Sequence, residues 1–147
     1  MNEISIRIIN QSNNQLPAYA TPGSSGMDLR ANITDPVTLK SLERKLIPTG
    51  LLMEIPMGYE GQVRPRSGMA VNKGITCLNT PGTIDSDYRG EVKVLLINLS
   101  DEAQIIEAGD RIAQLVFVKI EIAHVELVQE LNQTERAAGG FGHTGLQ

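Results

Sequence analysis

Apolar and polar residues alternate along this chain in short runs, and Gly or Pro interrupts them. Ile4, Ile6 and Ile8 set against Ser5, Arg7 and Ile9 predict a first strand over Ile4–Ile9. Asn10–Ser25 is a polar, breaker-rich loop, and Met27–Ala31 is a short alternating piece after it. Val37–Leu39, Lys45–Ile47 and Leu51–Ile55 predict strands, with Pro48-Thr49-Gly50 as a turn between the last two. Tyr59–Pro65 alternates weakly. Arg66–Lys73 predicts a turn leading into one or two helical turns, stopped by Gly74. Ile75–Leu78 and Val92–Ile97 are apolar β-formers on either side of a polar stretch, the pattern of a β-hairpin. Within that stretch Pro81-Gly82 fits a type II turn, with glycine supplying the positive φ. Ala103–Glu107 and Arg111–Ile120 predict two more strands around the tight turn Ala108-Gly109-Asp110, and Val125–Leu131 a last one. No segment carries a sustained helical stripe. Many short strands with Gly/Pro punctuation predict an all-β, jelly-roll-like barrel or sandwich with a short helix. Residues 1–131 read as the folded body, and 132–147 as a glycine-rich arm of the same single domain.

Composition narrows this picture. The chain has 147 residues and is 41% hydrophobic, but only 3% aromatic, so the core must be aliphatic and each aromatic is informative. A net charge of −4 speaks against a nonspecific nucleic-acid binder, which needs a basic stripe. A nucleotide ligand stays open, because a few arginines and a metal ion can meet phosphates locally. The single cysteine, Cys77, excludes an intrachain disulfide and lies in an apolar run, as an inert buried thiol would. Metal-ligand spacings such as C-x-x-C are absent. No run reaches the ~18 apolar residues of a membrane helix, and Met1-Asn2-Glu3-Ile4 opens no leader pattern, so a soluble cytoplasmic protein is expected.

Several stretches resist a purely structural account. In Gly26-Met27-Asp28-Leu29, Asp28 is either a solvated face residue or a functional acid. Arg66, Ser67 and Gly68 combine planar donors, a hydroxyl and room for backbone N–H groups to approach an oxyanion; taken alone they are also an ordinary turn. Asn79–Glu91 bunches Asp85, Ser86, Asp87 and Tyr88 beside a turn. Asp85 and Asp87 share one face of an ideal strand and Tyr88 the other, so turning Asp85 and Tyr88 to one ligand requires a bend between Ser86 and Gly90. Such acids serve as a general base or recruit a cation, or simply charge a hairpin tip. In Gly109–Phe117, Arg111 could pair with Asp110. Gln114 sits in an apolar strand where its amide needs a partner: core, neighbouring subunit or ligand-site water. In Arg136–Gly145, Phe141 stands between glycines, either as an incidental residue of a loose end or as part of an arm that orders on a ligand.

Taken in order, these stretches closely resemble the homotrimeric deoxyuridine triphosphatases (dUTPases). The five ordered motifs of that family are recognisable as Gly26–Ala31, Pro65–Ala70, Gly82–Glu91, Gly109–Leu115 and Arg136–Gly145. The third is the most specific, and the match covers nearly the whole chain.

The resemblance implies a jelly-roll-like subunit, a homotrimer with active sites at subunit interfaces, and hydrolysis of dUTP to dUMP and pyrophosphate with Mg²⁺ on the triphosphate. That reaction keeps uracil out of DNA and supplies dUMP for thymidylate synthesis. Carried over, Asn79 would help read uracil, while Thr83, Ile84 and Asp85 would line the base and sugar. Tyr88 would pack on the deoxyribose where a 2′-OH would clash, and Lys93 holds a further substrate-contact position. Asp85 would activate the water. Arg66, Ser67 and Gly68 would hold phosphates, and Gln114 would fix the water or the α-phosphate. Asp28 would bind waters on Mg²⁺ rather than the ion, so that no residue is a direct metal ligand. Arg136 would reach the γ-phosphate, Phe141 would stack on uracil, and Gly142 would offer its N–H to phosphate. His143 departs from the usual serine, and either donates to phosphate or is solvated. A dCTP deaminase shares the fold and trimer but is typically longer and lacks this full tail. A non-catalytic relative would be expected to lose Asp85, Ser67 or the tail, and this chain keeps all three.

Overall fold

The computed structural model describes residues 3–140. In chain order the elements are β1 (Arg7–Asn10), β2 (Met27–Arg30), β3 (Val37–Leu39), β4 (Arg44–Glu54), β5 (Tyr59–Arg64) and helix α1 (Ser67–Lys73). They continue as β6 (Ile75–Cys77), β7 (Gly82–Ile84), β8 (Glu91–Asn98), β9 (Gln104–Ile106) and β10 (Arg111–Lys119). One four-stranded sheet runs β1-β4-β8-β6, a second runs β2-β10-β5-β7, and β3 pairs with β9. The strand pairings are antiparallel throughout. The two larger sheets are separate ladders rather than one closed barrel, so the sandwich form of the predicted jelly-roll-like fold is the one realised.

Period-two patterning explains the layers. Along β8, Val92, Val94, Leu96 and Asn98 are buried, while Glu91, Lys93, Leu95 and Ile97 face the other way. Ile47 pairs with Val94 on the inner face of the first sheet. From the second sheet Leu29, Val63, Ala113 and Leu115 join the same aliphatic core. Each fully buried Leu or Ile there contributes roughly 1.5–3 kcal/mol from removed apolar surface. Asn98 is fully buried yet satisfied: its Nδ2 donates to the Leu39 and Glu102 carbonyls, and its Oδ1 accepts from Ser100 N and Oγ. It thereby ties β3 to the end of β8.

Three local predictions are corrected. Pro48-Thr49-Gly50 is not a turn between two strands but a bulge inside β4, since both halves pair with β8 and the register shifts between Pro48 and Leu51. Gly50 takes φ +72°, and a Cβ there would crowd Ser12, so glycine is required. Pro81-Gly82 is not a type II turn: Gly82 has no positive φ and instead opens β7, after a cis Thr80–Pro81 bond. Val125–Leu131 forms no strand within the chain. Ile122, Val125, Leu127 and Leu131 are 83–102% exposed, and this segment pairs with none of the described strands, so it lacks the ladder that a strand needs. The first strand, in turn, begins at Arg7 rather than Ile4.

The helix forms as predicted, with Gly74 closing it in the left-handed conformation at φ 63°. Among the described residues no helix is long and apolar enough to cross a membrane.

Candidate active site

The polar stretch between β6 and β8 does something an ordinary hairpin does not. β6 and β8 pair in the first sheet, with Cys77 opposite Leu96, but β7 between them pairs with β5 of the second sheet. The chain therefore leaves one sheet, lays three residues along the edge of the other, and returns. The crook of this excursion encloses a cavity of about 190 Å³. Asn79, Thr83, Ile84, Asp85, Tyr88 and Lys93 all line it, as does Glu91. These are the residues expected to read base and sugar, together with the expected base catalyst.

The bend needed to bring Asp85 and Tyr88 together is present. Strand β7 ends at Ile84, and Tyr88 N–H donates to the Asp85 carbonyl at 3.1 Å across a turn. Arg89 braces this turn through its Nη1, which donates to the Ser86 carbonyl at 2.7 Å and to the Tyr88 carbonyl at 3.0 Å. Among the described residues Asp87 enters no ion pair. Asp85 stays exposed at the cavity mouth, while Ile84 beside it is buried. The Tyr88 hydroxyl donates to the Glu91 carbonyl at 3.1 Å, and a Cβ at Gly90 would run into that ring. Gly90 is thus the seat on which the ring lies.

A second cavity, of about 310 Å³, is lined by Arg66, Gly68, Met69, Asn72, Lys73, Asp110 and Arg111. Its character is cationic. Arg66 Nε stands 2.9 Å from Asp28 Oδ1, and Arg111 Nη1 stands 3.4 Å from Oδ2. The shorter contact is not an aligned hydrogen bond, so charge attraction holds it. Arg66 Nη1 also donates to the Arg111 carbonyl at 3.2 Å. Arg111 is therefore the partner of Asp28 and not of Asp110, whose carboxylate instead accepts from Glu107 N–H within the tight turn. Ser67, exposed, is the first residue of α1, and the space beside Gly68 is open.

Gln114 lies on β10 opposite Asp28 on one side and Arg64 on the other. Directly paired residues share a sheet face, so the half-buried Gln114 amide faces outward with Asp28. Among the described residues no three His, Cys, Asp or Glu side chains group as metal ligands. Arg136 is exposed, and its Nε donates to the Gly139 carbonyl at 2.9 Å. Phe141, Gly142 and His143 lie outside the described residues.

The two cavities share no lining residue. One chain thus collects the residues expected at base and sugar in one place and the arginines in another. The sequence pattern assigns no role to Glu91, Asn72 or Lys73, and offers Arg111 only as a partner of Asp110. For Glu91 a signal existed: it stands directly before the predicted strand Val92–Ile97 and two residues before Lys93, hence on the same face once the strand extends to it.

Comparison with known proteins completes this description. The sequence model of the dUTPase family matches residues 3–145. The deoxyuridine 5′-triphosphate nucleotidohydrolase of Fusobacterium nucleatum is 58% identical over 99% of both chains. That of Cytophaga hutchinsonii is also 58% identical, over 96% of this chain and 92% of its own. Among solved structures, the dUTPase of Staphylococcus bacteriophage 80alpha with dUPNHPP is 25% identical, with a TM-score of 0.86 over 97% of this chain and 99% of its own. A mutant dUTPase of phage phi11 of S. aureus, described with a structural Mg(II) ion, is 22% identical, has a TM-score of 0.79 over 88% of this chain and 100% of its own, and shares the fold. By its full-length sequence match, its sandwich fold and its motif order, this chain belongs to the dUTPase family.

Proposed function

We propose that the chain hydrolyses dUTP to dUMP and pyrophosphate in the cytoplasm, as a homotrimer whose sites combine residues of more than one copy. The observation that carries this reading is the cavity of the β6–β8 excursion. It draws Asn79, Thr83, Ile84, Asp85, Tyr88 and Lys93 around one space, with residues of β5, β7 and β8 beside the Tyr88 ring. Such a wall suits a flat base with a compact sugar. Backbone groups fixed by β7 and by the link before it can present a set pattern of donors and acceptors to uracil. The reversed pattern of cytosine would leave buried polar groups unpaired, at about 1–3 kcal/mol each.

Asp85 is the acid with access to a water at the mouth of this cavity. In the proposed step its carboxylate accepts a proton as water adds to phosphorus and the α–β anhydride bond breaks, releasing pyrophosphate. Arg66, Ser67, Gly68 and Gln114 hold the phosphates and the water, and positioning plus charge stabilisation does most of the catalytic work. Mg²⁺ arrives on the triphosphate as part of the substrate, and Asp28, partly exposed beside Arg66, meets the ion's waters.

Two features support assembly. The base cavity and the arginine cavity are separate within one chain, and the exposed apolar residues of 120–131 have no partner among the described residues. Residues 132–147 act as the arm of this single domain, with Arg136 and Phe141 closing over base and phosphates.

The test is pyrophosphate release from purified protein given dUTP, dCTP, dTTP or UTP with Mg²⁺. Turnover confined to dUTP is the expected result. Ammonia release from dCTP would move the chain to the deaminases, and no turnover of any substrate would leave a binding module. Sedimentation of the same sample checks the trimer.

A further inference from the structure

Glu91 makes the connections that join the cavity to the rest of the sandwich. Its Oε1 accepts from Gly50 N–H at 2.8 Å, inside the β4 bulge. Its Oε2 lies 3.7 Å from Lys93 Nζ, on the same strand face and in the same cavity. Its backbone carbonyl accepts the Tyr88 hydroxyl at 3.1 Å. The bulge itself is a fixed point: Gly50 is buried at φ +72° against Ser12, and Thr49 Oγ1 donates to the Val92 carbonyl next door.

We infer that Glu91 is a positioning residue for sugar discrimination, clamping the start of β8 to the β4 bulge so that its carbonyl holds the Tyr88 ring over Gly90. The inference rests on reading this cavity as the deoxynucleotide site. The chain of causes is short. The carboxylate–Gly50 bond sets where residue 91 sits, and residue 91 sets where the Tyr88 hydroxyl is caught. Gly90 lets the ring lie flat, since any Cβ would lift it. A ring held down leaves room for C2′–H and none for a hydroxyl. A ring set free can swing away and admit ribose. The Lys93 contact is longer and both side chains are partly exposed, so it adds orientation but not the clamp.

The variants separate these parts. Glu91→Gln keeps an oxygen for Gly50 N–H and loses the charge, whereas Glu91→Ala loses both. Glu91→Asp keeps the charge but withdraws the oxygen by one methylene. Pyrophosphate release is measured with dUTP and UTP, and the ratio of kcat/KM values is the readout. Glu91→Ala and Glu91→Asp should each lower the dUTP/UTP ratio by about tenfold, the equivalent of one lost hydrogen bond. Glu91→Gln should restore the ratio to within about threefold of the natural chain, because a neutral acceptor still holds the N–H. On a Tyr88→Phe background, Glu91→Asp should add little further loss, since the hydroxyl it positions is gone. If Glu91→Ala does not fold, Glu91→Asp carries the same expectation. An unchanged ratio in Glu91→Asp, or an equal loss in Glu91→Gln, would overturn the clamp. A natural chain inactive on dUTP would instead overturn the function proposed above, so the two failures are distinguishable.

Discussion

The two cavities of this chain are built on opposite plans. The cavity of the β6–β8 excursion is lined mostly by residues of strands β5, β7 and β8, and ladders on both sheets hold these in place: β7 on β5, β6 on β8 and β8 on β4. The second is made by the ends of long charged side chains, Arg66 and Arg111, gathered around Asp28. Backbone hydrogen bonds spaced by a ladder can tell one base edge from another. Guanidinium groups on flexible stems give charge and a planar fork, suited to phosphate oxygens whose positions vary through a reaction. The contrast supports the proposed division, with selectivity in the strand-built cavity and charge handling in the side-chain cluster.

That division can be broken at several points. The largest effect is expected at Asp85, on the rim of the selective cavity. Asp85→Asn should lower kcat by at least about a hundredfold, as loss of a general base does. Isothermal titration should still detect dUTP binding, and near-normal turnover would remove Asp85 as the base. Next comes the arm. A chain ending at Gln133 loses Arg136 and everything after it, and turnover should fall by about tenfold or more, because an ordering segment excludes water and completes the site. Sedimentation should show the assembly unchanged; a dissociated truncation would make the arm a structural part instead.

Arg66 tests the charged side. Arg66→Ala removes a charged donor, worth about 1.5–3 kcal/mol, and should weaken dUTP by roughly 10–150-fold. Deoxyuridine, which has no phosphate, should bind the variant as it binds the natural chain. Equal weakening of both ligands would erase the distinction between the two cavities. The smallest effect concerns Cys77, buried on β6. Burial raises its thiol from 9.0 to about 11. The unfolded chain then loses this proton first as pH rises, so stability is whole below about 9 and erodes towards about 11. Iodoacetamide near neutral pH should therefore label Cys77 far more slowly than a free thiol, in proportion to the open fraction of the chain, as followed by mass spectrometry.

Much of the fold was legible because period-two patterning is local. The alternation of Glu91–Asn98 specifies a half-buried strand whatever its partner, and Gly74 marks a helix end by its own backbone needs. What the pattern could not carry was partnership. Lys45–Ile47 and Leu51–Ile55 look like two strands until β8 is seen to pair with both, and only then is Pro48-Thr49-Gly50 a bulge. Val125–Leu131 has strand-like residues but pairs with none of the described strands. Nor could Pro81-Gly82 be read correctly without knowing that Gly82 must enter a ladder with Val63. The site divides in the same way. That Asn79, Thr83, Ile84, Asp85, Tyr88 and Lys93 gather in one cavity is legible because their stretch is nearly contiguous. The meeting of Asp28 with Arg66 and Arg111 depends on β2 lying beside β10, a long-range fact that spacing along the chain does not encode.

The excursion of β7 to the opposite sheet has a consequence for folding. The selective cavity has no existence in either sheet alone; it appears only when both have formed and docked. A nucleotide bound there cross-links the two layers without a covalent bond, and it binds the native state while finding nothing to hold in the unfolded one. At a hundred times its dissociation constant, such a ligand adds about 2.7 kcal/mol to stability by mass action. Heat-induced melting should then report occupancy, rising with ligand concentration even for variants that bind but cannot turn over.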